Sequence, residues 1–253
     1  MFQDPHQSII YPLPVLTDNI IWIWSYKNEA VVIDPAIDQP VNNWLKAKNL
    51  KLKAILQTHH HDDHIGGTRG LLKKWPNTPV YAAASDINRI PFQTHSLKDG
   101  DQFILLNKLI SVLEVSGHTR THIAYFITSI NNNEILPLLF CGDTLFGGGC
   151  GRLFEGTAKN MYLSLQKFSA LPNETKVYCA HEYTEANLHW ALEICPKDRL
   201  IMDRLLKVSK LREKGTPSLP STIRDEKSTN LFMRAKDSNE LRELRIHKDN
   251  WSA

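Results

Sequence analysis

The stretch Gln57–Gly67, QTHHHDDHIGG, constrains this chain more than any other. Four histidines and two aspartates occupy His59–His64, between the apolar run LKAIL, which reads as a buried strand, and two glycines that open a helical pattern. A solvated loop has no need of such density, so these side chains require partners from other strand ends. Three strand ends supply them: His118 follows LEVSG, Asp143 follows LLFCG and His181 follows VYCA. In each case an apolar strand closes on a small residue and then a ligand type. With His59, His61, Asp63 and His64 they give five imidazoles and two carboxylates. That is too many for one tetrahedral ion, but it suits two ions sharing a carboxylate. Imidazole with carboxylate favours zinc, iron or manganese over calcium.

Other candidates read more plainly. His60 is out of phase with its neighbours and stands outside the ligand set, while His122 reads as either an ordinary histidine or a supporting residue behind the ligands. Asp34, closing VVID, is either a turn residue or a partner that orients a ligating histidine. Cys141, Cys150, Cys179 and Cys195 form no C-x-x-C pair and read as packed thiols. Gly147-Gly148-Gly149 lacks the Lys-Ser/Thr of a phosphate loop and reads as a flexible bend.

The pattern changes along the chain. NIIWIWSY and EAVVIDPA form a hairpin around Lys27-Asn28, and Asp38 is placed to cap a helix carrying Val41, Trp44 and Leu45. Further strands follow at KAILQT, PVYAAAS, FILLNKLISVLEVSG, HIAYFITS, EILPLLFCGDTLF and KVYCAH, with a turn at NNN (131–133). Pro137 suggests an edge or a bulge near the start of its strand. Helices capped by Thr184 and Asp198, the connection GTPSLPST and a last helix from Ser238 complete the chain. This order gives an α/β domain over 1–181 and a small all-helical domain over 182–253. Of the 253 residues 42% are apolar, enough for a sizeable core. A net charge of +3 gives no general pull toward nucleic acid. MFQDPHQSII has no basic segment leading an apolar run, and no stretch reaches the roughly 18 apolar residues of a membrane span. A cytoplasmic monomer without membrane or nucleic-acid partners is expected.

The motif H-x-H-x-D-H at His59–His64 resembles that of the metallo-β-lactamase superfamily, and the Gly-His, Gly-Asp and Ala-His strand ends match its remaining ligand positions. Within it, THHHDDHIGG, SGHTRTHIAY, FCGDTLFGGGCGRLFEGT, AHEYTEANL, TNLFMR and RIHKDNW resemble segments of glyoxalase II, the hydroxyacylglutathione hydrolases, across nearly the whole chain. The resemblance implies the superfamily's αββα sandwich followed by a small helical domain. It implies one metal at His59, His61 and His118, a second at Asp63, His64 and His181, and Asp143 between them. Zinc is the first expectation, with iron or manganese open. Glutathione would be held by Arg152, Tyr183, Arg245 and Lys248. Phe154 stands where a tyrosine is frequent, Ser116 where proline is common and Thr121 where glycine is common.

Two cations roughly 3.5–4 Å apart lower the pKa of a shared water toward about 7, which gives a nucleophile for a thioester carbonyl. A thiolate with a pKa near ~8.5 leaves without a dedicated acid. The expected reaction is hydrolysis of S-D-lactoylglutathione to D-lactate and glutathione, the second step of methylglyoxal detoxification, with Asp63 and Asp143 as the catalytic carboxylates. A lactonase, a β-lactamase or a phosphodiesterase would share the metal site without needing Arg245 and Lys248. A persulfide dioxygenase uses one iron and generally lacks the tail. A simple metal-binding module is the non-enzymatic alternative.

Overall fold

The computed structural model describes residues 8–129 and 137–252. The turn expected at 131–133 lies outside them. The chain opens with β1 (Ile9–Val15), β2 (Asn19–Tyr26) and β3 (Glu29–Ile33), then α1 (Asp38–Ala47), β4 (Lys51–Leu56), α2 (Asp62–Ile65), α3 (Thr68–Lys74), β5 (Val80–Ala83) and β6 (His95–Leu97). The six strands form one sheet in sequence order, antiparallel to β3 and parallel from β3 to β6. Strand periodicity divides their side chains between two cores. Ile20, Trp22, Trp24, Val31, Ile33 and Leu56 join the larger core, whereas Ile21, Ile23, Val32 and Ile55 pack with Val41 and Leu45 of α1 and Leu71 of α3. Both faces of the sheet are therefore covered, which is why its strands read as continuous apolar runs.

The second sheet takes β7 (Gln102–Leu105), β8 (Lys108–Glu114), β9 (Ile123–Ser129), β10 (Leu138–Gly142) and, after the short hairpin β11 (Leu145–Phe146) and β12 (Gly149–Cys150) and the helix α4 (Ala158–Ser169), β13 (Lys176–Cys179). The tail holds α5 (Thr184–Ile194), α6 (Arg199–Arg212), β14 (Ser221–Thr222), α7 (Ile223–Thr229), α8 (Leu231–Arg234) and α9 (Ser238–Asp249). Met161, Leu165 and Phe168 of α4, Leu188 and Trp190 of α5 and Phe232 of α8 share the larger core with Leu139, Phe140 and Val177. The tail is helical except for β14, which pairs antiparallel with β13 and forms the outer edge of the second sheet.

Strand direction decides where the ligands gather. Both β8 and β10 run antiparallel to β9, and β13 runs parallel to β10, so β8, β10 and β13 end at the same edge of their sheet. These are the ends that carry His118, Asp143 and His181. The first sheet presents the ends of β3 and β4 alongside, joined there by the hydrogen bond from Ile123 N to Thr58 O at 3.0 Å.

Some local expectations shift. Asp38 and Thr184 lie inside the first turns of α1 and α5 rather than at their caps, which are Ile37 and Tyr183. Asp198 does cap α6, accepting from Leu200 N and Ile201 N. Pro137 marks neither an edge nor a bulge at its strand's start. It precedes β10, an interior strand, and the register shift falls later, between Phe140 and Gly142.

Candidate metal centre

The ligand-type side chains meet in one cluster whose members form three overlapping groups: His59, His61 and His118; His59, His64 and Asp143; Asp63, His64 and His181. In the first, His61 Nδ1 lies 3.0 Å from both His59 Nε2 and His118 Nε2. In the last, His181 Nε2 lies 3.5 Å from Asp63 Oδ2 and His64 Nε2 lies 3.7 Å from it. Asp143 faces both sides: Oδ1 is 3.3 Å from His64 Nε2 and 3.4 Å from His181 Nε2, while Oδ2 is 3.4 Å from His118 Nε2. Close approach at this junction depends on Gly142. Its φ is +49°, and a Cβ there would meet Thr58 Oγ1 at 2.3 Å and the His122 ring at 2.8 Å.

Each buried ring is oriented from behind. The Asp34 carboxylate holds His64 Nδ1 at 3.0 Å and also accepts from Thr58 N and Oγ1, which makes it a positioning partner and not merely a turn residue. His59 Nδ1 meets Thr58 Oγ1 at 3.0 Å, and His118 Nδ1 meets the Arg152 carbonyl at 2.8 Å. His122 Nε2 accepts from Asp143 N while its ring stacks on His59. His60 turns away, accepting from Arg89 Nη1 at 3.2 Å. That arginine also binds Glu155 Oε1 and Thr121 Oγ1, so the unusual threonine serves as a hydrogen-bond acceptor on the His118 loop.

The donor chemistry fits metal ions. Burial holds His59 well below the usual imidazole range and lowers His118, while burial and the neighbouring imidazoles push His61 down to about 4. Neutral rings leave lone pairs free for a cation. At His64 and His181 burial is outweighed by the Asp143 charge, which raises both, and the same pair keeps Asp143 well below the carboxylate range against its own burial. Yet His64 Nε2 and Asp143 Oδ1 are both buried without a hydrogen-bond partner. Polar atoms left this way are rare in native interiors and point to a ligand between them.

The cluster floors a cavity of about 510 Å³. Phe154, Arg152, Tyr183, Arg245, Lys248 and Trp251 form its walls. The Phe154 ring is 63% exposed and stands edge-on to His61 and His118. Tyr183 stacks flat on His181 with centroids 4.9 Å apart. Arg245 is buried, donating to the Cys150 carbonyl at 2.9 Å and to Asp249 Oδ1 from Nε and Nη2. Arg152 is exposed, 3.7 Å from the same carboxylate oxygen. Lys248 Nζ sits 3.8 Å from the Trp251 ring centroid, and burial with the nearby Arg245 charge lowers it to about 8.

Two family descriptions cover the chain: the metallo-β-lactamase superfamily over residues 13–181 and the hydroxyacylglutathione hydrolase C-terminus over 182–251. A hydroxyacylglutathione hydrolase of Prochlorococcus marinus (strain MIT 9303) is 58% identical over 98% of this chain and 95% of its own length. The chain belongs to the hydroxyacylglutathione hydrolase family. Its fold is also that of a metallo-β-lactamase from Staphylococcus aureus, with a TM-score of 0.73 at 21% identity, covering 98% of this chain and 68% of the other. A solved protein described in a di-iron-bound form is 26% identical over 68% of this chain and 91% of its own, with a TM-score of 0.56.

For a hydroxyacylglutathione hydrolase, several supporting residues escape sequence reading. Asp18, Asn19 and Arg89 carry no local motif, and only proximity in the fold gives them a role; Trp251 closes the RIHKDNW segment, but its place on the cavity wall shows only in the fold. The glycine bend at 147–149 is pinned instead of flexible. Gly148, at φ +68°, donates to the buried Glu226 at 2.8 Å, and Asn187 and Asn230 donate to the carbonyls of Gly147 and Gly149. The cysteines are free, three of them buried, and among the described residues none joins the ligand cluster.

Proposed function

We propose that this chain hydrolyses S-(2-hydroxyacyl)glutathione thioesters, S-D-lactoylglutathione first among them, releasing glutathione and D-lactate. The reading is supported by one observation above all: tail residues Arg245, Lys248 and Trp251 line the same cavity as the metal-ligand cluster. On this reading residues 1–181 form the catalytic domain and 182–253 the substrate-binding domain. His59, His61 and His118 would hold one divalent ion, Asp63, His64 and His181 the other, and Asp143 would face both. Zinc suits this donor set, with iron and manganese as alternatives. Bound there, the ions would supply a water ionised near neutral pH and an electrophile for the thioester carbonyl.

The chain's own groups do the rest. Asp143, buried and charged, offers one oxygen to each side of the cluster. Asp63 has its side chain 40% exposed, so its carboxylate reaches the cavity and accepts a hydrogen bond from the attacking water. Tyr183 and Phe154 wall the reacting centre, and Lys248 offers the glutathione end a cation. Water adds to the carbonyl carbon, the C–S bond breaks and the sulfur leaves as a thiolate, whose thiol has a pKa of ~8.5, so no general acid is needed. The enzyme is proposed to work as a cytoplasmic monomer; among the described residues no helix is long and apolar enough to cross a membrane.

Side-by-side assays decide the substrate class. Zinc-loaded protein should hydrolyse S-D-lactoylglutathione and leave nitrocefin and bis-p-nitrophenyl phosphate nearly untouched. Preferential turnover of either of the latter would overturn the assignment.

A further inference from the structure

The turn between β1 and β2 belongs to the first sheet, yet it is fastened to the last ligand loop of the second. Ile20 N donates to Ala180 O at 2.7 Å, Glu182 N donates to Asp18 O at 2.9 Å, and Asn19 forms an isolated antiparallel bridge with His181. From this clamp two consecutive side chains reach two different candidate ligands. Asp18 Oδ1 lies 2.7 Å from His181 Nδ1, and Asn19 Nδ2 donates to Asp63 Oδ2 at 3.0 Å and to Asp63 O at 3.2 Å. The Tyr183 ring stacks flat on the His181 ring that Asp18 backs.

The contacts are one-sided. Asp18 and Asn19 hydrogen-bond to Asp63 and His181, and among the described residues neither hydrogen-bonds to His59, His61 or His118. The rings of that group that have a partner behind them lean on neutral ones, the Thr58 hydroxyl and the Arg152 carbonyl. His64 and His181 are each backed by a carboxylate, Asp34 and Asp18. A carboxylate behind an imidazole fixes its tautomer and raises its basicity as a ligand. Asp63 depends most on its tether: its side chain is 40% exposed, against 1% for His64 and 5% for His181, so packing alone does not hold it.

We propose that Asp18 and Asn19 are positioning residues for one ion only, setting the affinity of the Asp63–His64–His181 group independently of the His59–His61–His118 group. The inference rests on the two-ion reading of the site. It assigns the β1–β2 turn, remote in sequence from every proposed ligand, the task of deciding whether the second ion stays bound.

The test is a zinc titration of metal-free protein against a chromophoric chelator, with the near-isosteric Asp18→Asn and the shortened Asn19→Ser as variants and circular dichroism to confirm the fold. Wild type should bind two ions. Each variant should keep one affinity unchanged and lose about 10–100-fold in the other, the scale for removing an outer partner of a ligand. Two backgrounds identify which ion is lost. With His61→Ala the variants should weaken the remaining ion, and with His181→Ala they should leave the remaining ion unaffected. Equal weakening of both ions, or no change in either, overturns the inference while wild-type stoichiometry upholds the two-ion reading. A wild type that binds a single ion overturns that reading and the inference with it.

Discussion

Sandwich and tail bring opposite kinds of polarity to one cavity. At the strand ends of the sandwich most of the polar groups are buried, converge on one another and still leave His64 Nε2 and Asp143 Oδ1 without hydrogen-bond partners. In the tail, Arg245 is already occupied by Asp249 and the Cys150 carbonyl, and Lys248 rests on Trp251. The first arrangement stores an unmet demand of the kind a cation would fill. The second is largely settled before substrate arrives and adjusts only at its most open cation. Substitutions in the strand-end cluster should therefore act on the reaction itself, and substitutions on the cavity wall and in the tail on binding.

The largest effect is expected at Asp143. Asp143→Ala removes the carboxylate that faces both groups, so metal content should fall below two ions per chain and kcat should drop about 10²–10³-fold or more, the scale of losing one preorganised electrostatic element. Metal analysis and steady-state rates on the same preparation measure both. A variant that keeps two ions and full kcat breaks the contrast at its centre.

The tail should respond differently at its two cations. Lys248→Met should raise KM about 3–10-fold with kcat near wild type, as expected for a partly exposed charge contact made equally in ground and transition states. The wild-type KM should rise with ionic strength and the variant's much less. Lys248 is lowered to about 8, so it is cationic below that pH and neutral above it; KM should climb as pH passes through about 8, and Lys248→Arg should remove the climb. Arg245→Met, which strips a buried guanidinium from Asp249 and the Cys150 carbonyl, should lower the melting temperature as well as binding. Loss of kcat at unchanged KM in Lys248→Met would remove the tail from the substrate site.

The smallest effect is expected from Phe154→Tyr. The ring already lies edge-on to His61 and His118, and a hydroxyl there would add a hydrogen bond of about 0.5–1.5 kcal/mol if substrate offers a partner. At so exposed a ring the low end of that range applies, so KM should fall about twofold with kcat unchanged.

What could be read from the sequence follows the same division. His118, Asp143 and His181 were legible because an apolar strand, a small residue and a ligand type repeat at three places, and parallel strand direction then brings such ends together. Asp18 and Asn19 were not: in LTDNI they look like ordinary turn residues, and their meaning comes from a clamp onto residues 180–182. Helix α4 was legible in principle, since Thr157 caps it with a full capping box and Met161, Leu165 and Phe168 fall at helical spacing. α7 and α8, at seven and four residues, are too short for periodicity to show. The tail's packing was equally hidden, because Glu226 and Asn230 look like surface polar residues until the glycine bend is placed against them.

The two-residue strand β14 has a consequence for the chain as a solution object. Its pairing with β13 covers what would otherwise be the open rim of the second sheet. Uncovered strand rims recruit other strands, so a chain cut after residue 181 would expose backbone at Lys176 and Val177 and tend toward self-association. The segment proposed to bind substrate thus also acts as a guard against aggregation. Selection for colloidal behaviour alone would preserve part of the tail, even in a descendant that no longer used glutathione.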